Sequence, residues 1–97
     1  MTPASIEFSD GCLRVRGPVT LTTVAPLLEE ASRRFDGPVV RVDLSAVTEA
    51  DSSAVGLLLA WVRDAAVGGR RVRFENLPSN LKSLIKLYDV GEFIPGA

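Results

Sequence analysis

A β-branched apolar run, Val39-Val40-Arg41-Val42-Asp43-Leu44-Ser45, is followed six residues on by the polar triplet Asp51-Ser52-Ser53, which opens the apolar segment Ala54 to Trp61. The first run, bounded by Pro38 and Ser45, reads as a short buried strand. The triplet suits a helix N-terminus, because short oxygen-bearing side chains accept hydrogen bonds from the first free N–H groups. The helix is expected from about Ser52 to Val67, with Gly68-Gly69 ending it and a turn-like loop joining it to the strand. Strand, loop and helix in that order point to an α/β sheet. They also place hydroxyls just past the carboxyl end of a strand, where open sheets bind ligands and partners.

The flanking segments fill in the sheet. Ser5 to Ser9 and Cys12 to Arg16 alternate polar and apolar on either side of Asp10-Gly11, a pair that accepts the positive φ of a tight hairpin turn. Gly17-Pro18 breaks the pattern. Thr20, Thr22 or Thr23 then caps a helix carrying Val24, Leu27, Leu28, Ala31 and Phe35 at helical spacing, with Pro26 near its first turn and Asp36-Gly37-Pro38 as its stop. Arg70 to Asn76 alternates again, with Val72 and Phe74 turned inward. Pro78-Ser79-Asn80 opens a last helix with Leu81, Leu84, Ile85 and Tyr88 on one face and Gly91 as its end, and Phe93-Ile94-Pro95 forms a tail able to pack back. The order is β-β-α-β-α-β-α. It implies a single domain over residues 1–97, a small mixed sheet with helices packed on it and right-handed crossovers between its parallel strands.

Composition narrows the chemistry. The 97 residues carry a net charge of −1 and no histidine, so neither a basic nucleic-acid surface nor the commonest acid/base catalyst and metal ligand is expected. No cofactor or metal site is expected, and no small-molecule substrate. The single Cys12 cannot form an internal disulfide, and without histidine no Ser/His/Asp set exists. Gly68-Gly69-Arg70-Arg71 lacks the spacing and lysine of a phosphate-binding loop. Arg33-Arg34 and Arg70-Arg71 read as solvated ends of elements, with Glu29 and Glu30 within i+4 reach of the first pair. Met1 to Glu7 lacks the charged start and apolar core of a signal peptide, and the run Ala54 to Val62 is far short of the ~20 residues that span a bilayer. A non-enzymatic, cytoplasmic protein without membrane insertion is expected.

The long helix has two apolar sides. At about 100° per residue, Val55, Leu58, Leu59, Val62, Ala65 and Ala66 share one side, enough to cover a sheet. Ser53, Leu57, Ala60, Trp61 and Asp64 lie opposite. Either the third helix or the tail covers that second face, or it is a docking patch in which Trp61 and Leu57 contact a partner, with Arg63 and Asp64 at its rim. Asp51, Ser52 and Ser53 carry the same alternatives: a helix cap, or a contact that phosphorylation switches.

Asp43-Leu44-Ser45, then Val47, then Asp51-Ser52-Ser53-Ala54-Val55, resembles the core motif D-L-S-x-V-x-x-x-D-S-S/T-G-L of STAS domains, with Ala54 and Val55 departing from its final glycine and leucine. By position, the resemblance assigns Ser52 as the regulatory or contact residue and Asp51 as its acidic neighbour. The ending Leu81-Lys82-Ser83-Leu84-Ile85-Lys86-Leu87-Tyr88-Asp89-Val90 is similar to that of MlaB-type members. These are cytoplasmic subunits that bind the ATPase subunit of an ABC transporter, itself complexed with a membrane permease, in phospholipid trafficking and outer-membrane lipid asymmetry. The resemblance thus implies a peripheral place at the inner membrane through that partner. A second branch implies an anti-sigma factor antagonist controlled by phosphorylation of Ser52.

Overall fold

The computed structural model describes residues 4–97, so the reading of the extreme N-terminus, as far as it rests on Met1, Thr2 and Pro3, falls outside the described residues. Four strands, β1 (Ser5–Ser9), β2 (Cys12–Val19), β3 (Val39–Ala50) and β4 (Arg71–Glu75), form one sheet in the order β1-β2-β3-β4. The first pair is antiparallel and the next two are parallel. Helices α1 (Val24–Ser32), α2 (Ser52–Val67) and α3 (Ser79–Leu87) and a short 3-10 turn (Gly91–Phe93) complete the chain. This is the small mixed α/β sheet that the alternation and capping signals imply.

The hairpin turns on Asp10 and Gly11 at φ 53° and 73°, the left-handed pair that a two-residue connection requires. Ile6, Leu13, Val15, Val40, Val42, Leu44, Val72 and Phe74 are buried on the helix-bearing side of the sheet. The other side is uncovered and charged. There Arg14 donates to Asp43 at 3.1 Å, Arg41 grips Glu75 through two bonds of 3.1 and 3.0 Å, and Arg16 pairs with Glu7.

Two expected breaks are continuous strand. β2 runs through Gly17 and Pro18 to Val19, with register shifts between Arg14 and Arg16 and again between Gly17 and Pro18. Such irregularities admit a glycine at φ 86° and a proline that lacks a donor. The segment after Ser45, where the sequence implies a turn-like loop, continues β3 to Ala50, because Gly17 and Val19 of β2 provide partners for Val47 and Ala50. Helix α1 is shorter than its apolar spacing suggests: it ends at Ser32, and Phe35 is buried from outside it. In α3, Leu81 and Ile85 face the core, whereas Tyr88 at its end is half exposed. Ile94 of the tail is buried, and the Phe74 N–H donates to the Pro95 carbonyl at 2.9 Å, fastening the tail to the outer edge of β4.

Candidate functional site

The mouth of α2 is built by Asp51. Its backbone is extended (φ −118°, ψ −171°), and one carboxylate oxygen accepts from the Ser53 N–H at 2.8 Å, the geometry of an N-cap. The other oxygen accepts from the Leu21 N–H at 3.1 Å, so the same side chain holds the turn before α1. Burial works against the charge on Asp51, but these backbone donors outweigh it and hold the carboxyl below its ordinary range. The Asp51 N–H donates to the Val19 carbonyl at 3.3 Å, and the Asn80 amide of α3 donates to the Ala50 carbonyl at 3.1 Å. β2, α1, α2 and α3 therefore meet at this point.

Ser52, the first residue of α2, is exposed, and among the described residues its hydroxyl makes no side-chain hydrogen bond. Ser53 is half-buried beside it. The acid caps the helix, and Ser52, exposed at its first position, takes no part in the cap. A phosphate added there would meet the positive end of the helix dipole, with the Asp51 carboxylate as its neighbour.

The second apolar face of α2 is closed. Trp61 has no exposed surface, Leu57 is 4% exposed and Ala60 is 9% exposed. Trp61 stacks on Phe74 of the sheet at 6.4 Å between centroids, and its indole N–H makes a long 3.5 Å bond to the Leu28 carbonyl of α1. Asp64 is exposed but accepts from Ser32 of α1 at 2.8 Å. Leu57, Ala60 and Trp61 are thus core residues and no docking patch, with Phe74 of the sheet and Leu28 of α1 against the indole. The physical reason is that α2 lies wedged between the sheet, α1 and α3, so a helix that is apolar nearly all round is satisfied on three sides.

The outward stripe of α2 runs instead through Ser52, Gly56, Leu59 and Arg63, spaced 4, 3 and 4 residues apart. Leu59 is half-buried, the others are exposed, and Leu21, 76% exposed, lies on the turn fastened to Asp51. Gly56 is the residue that sequence reasoning missed. A Cβ placed on it would meet nothing within 4 Å, so internal packing does not require glycine there. A mid-helix glycine costs roughly 0.5–1 kcal/mol relative to alanine, and this one leaves the surface beside Ser52 flat. A glycine inside a strongly helical apolar run was the available signal.

Burial pushes the Cys12 thiol up, which keeps it in its neutral form. Among the described residues no three Cys, Asp or Glu side chains gather as a metal ion would need, and no helix is long and apolar enough to cross a membrane.

The chain matches the family model described as "Mlab, STAS domain" over residues 4–95. No curated protein matches it at a significant level. Among solved structures it is similar to the anti-sigma factor antagonist SpoIIAA in its unphosphorylated form, with a TM-score of 0.71 and 16% identity over 94% of this chain and 84% of that one. It is also similar to Bacillus SpoIIAA in the phosphorylated form (TM-score 0.64, 16% identity, 94% and 87% covered). An anti-sigma factor antagonist from Mycobacterium paratuberculosis gives a TM-score of 0.65 and 23% identity, with 95% of this chain and 81% of that chain covered. Those likenesses establish the fold, and the family match extends over nearly every described residue: the chain belongs to the STAS domains of the MlaB type.

Proposed function

We propose that this chain is a non-catalytic subunit that binds the ATPase subunit of an ABC transporter and supports its assembly and activity in phospholipid trafficking. It works from the cytoplasmic side of the inner membrane, held there by that partner. The observation that carries the reading is the exposed Ser52 hydroxyl at a rigidly clamped helix mouth, continued by the flat stripe of Gly56 and Leu59 with Leu21 alongside. A shallow surface with one polar group and apolar neighbours suits a protein partner better than a small molecule. The MlaB description of the matching family supports the choice of an ATPase.

Affinity purification of the tagged chain from native membranes tests this. An ABC ATPase should co-elute, and Ser52→Asp, which places a charge on the exposed stripe without touching the core, should abolish its recovery. Gly56→Ala should raise thermal stability slightly, by the ~0.5–1 kcal/mol that helix propensity assigns, while weakening recovery of the ATPase. Retention of the ATPase by both variants would rule out this surface.

The likeness to structures titled anti-sigma factor antagonists favours one second reading, a phosphorylation-switched antagonist acting through Ser52. It expects an added phosphate by intact-mass spectrometry, lost in Ser52→Ala, and a sigma-regulatory kinase in the eluate where the first reading expects an ATPase.

A further inference from the structure

At the far end of α2 from Ser52, a cleft of about 690 Å³ follows the outer edge of β4. Its apolar wall includes Val62 and Ala66 of α2 and Pro95 of the tail, and Arg70, Arg71 and Arg73 also line it. Among the described residues none of these three arginines forms an ion pair, nor do Arg33 and Arg63, whereas Arg14, Arg16, Arg34 and Arg41 do. No carboxylate lines the cleft. It is an apolar slot edged by three arginines that stand outside any ion-pair contact among the described residues.

The strand edge gives the slot a direction. Successive residues of a strand turn their backbone polar groups to alternate sides. The Arg71 N–H donates to the Pro38 carbonyl at the β3 side, while the Phe74 N–H donates to Pro95 on the outer side. Val72, two residues before Phe74, therefore turns its N–H and carbonyl outward too, into the cleft it lines. A turn of the tail at Pro95 and Gly96 already closes this edge at Phe74, which leaves the outward backbone groups of Val72 as the open position. Strand alternation also sorts the side chains: Val72 and Phe74 are buried toward α2, and Arg71 and Arg73 point to the uncovered side.

We propose that the β4 edge is a second docking site, taking an extended acidic peptide segment of a partner protein that continues the sheet beside Val72. An added strand would place one set of its side chains against Val62 and Ala66 and the alternate set beside Arg71 and Arg73. The segment recognised thus alternates apolar and acidic residues, main-chain bonds supplying affinity and the two rows of side chains supplying choice. The proposal is independent of the Ser52 surface, which lies at the opposite end of α2.

The test uses a fluorescein-labelled Asp-Val-Glu-Val-Asp-Val peptide, fluorescence anisotropy and the whole chain. Saturable binding is expected. It should weaken at least tenfold for the Arg71→Glu/Arg73→Glu variant, for a block-scrambled peptide of the same composition and for a peptide N-methylated at alternate backbone nitrogens. Both arginines are exposed, so circular dichroism should show the variant folded. Bound peptide should also slow hydrogen exchange at the Val72 N–H and leave the amides of residues 52–54 unchanged. Ser52→Asp should bind the peptide as the parent does, so this site and the proposed ATPase surface fail separately. Equal binding of the alternating and scrambled peptides would overturn the proposal. So would unaltered exchange at Val72, or binding of phosphatidylglycerol vesicles, and not of the peptide, through the same arginines.

Discussion

Asp43 shows how one side chain can be buried, charged and stable on an interior strand, between Arg14 of β2 and Glu75 of β4. It is 7% exposed, and burial alone would raise its pKa. The Ser45 N–H at 2.9 Å, the Asn76 amide at 3.1 Å and Arg14 at 3.1 Å outweigh that cost and lower the pKa to about 2. A carboxyl whose folded-state pKa is depressed stabilises the fold above its unfolded value near 3.8 and loses that contribution as pH falls toward 2. Arg14 is half exposed, and solvent screening trims the gain to roughly 1–2 kcal/mol. Asp43→Asn should therefore lower the urea midpoint at pH 7, and the gap to the parent should narrow steadily below about pH 4. A constant gap down to pH 2 would show that the charge on Asp43 contributes nothing.

Helix α2 carries the sharpest contrast between surface and interior. Trp61→Ala should cost about 3–5 kcal/mol, because it empties the volume between Phe74 and α1. The parent should show blue-shifted tryptophan emission that acrylamide quenches poorly, whereas a red-shifted, readily quenched spectrum would contradict a sealed indole. Much of this element is legible in the sequence. The Asp51 cap, the Ser52–Val67 span and the Gly68-Gly69 stop are local signals, set by hydrogen bonds within a few residues. The orientation of the helix was not local. With apolar residues on nearly every side, the spacing of Leu57 and Trp61 does not say which neighbour covers them, and α1, whose own face was legible, settles it through Leu28 and Ser32. The length of β3 was hidden for the same reason. Val47 to Ala50 carries no run of strand formers and is extended because β2 lies beside it.

At the scale of the molecule, a small sheet with helices on one side must secure its ends. The last residues do this at β4: Ile94 is 1% exposed, and a Cβ on Gly96 would come within 2.0 Å of the Phe74 carbonyl, at a φ of 96° that other residues avoid. Ile94→Ala should lose about 2–4 kcal/mol in equilibrium unfolding and release the Phe74 amide to fast exchange. Unchanged exchange there would mean that the tail is dispensable. The opposite side of the sheet has a different consequence. Crossed pairs such as Arg41 with Glu75, standing in water, add little to folding. What they confer is colloidal: a bare pleated surface lined with charges is costly to strip of water, so among the described residues the greasy contacts on offer lie on the helical half and along one rim.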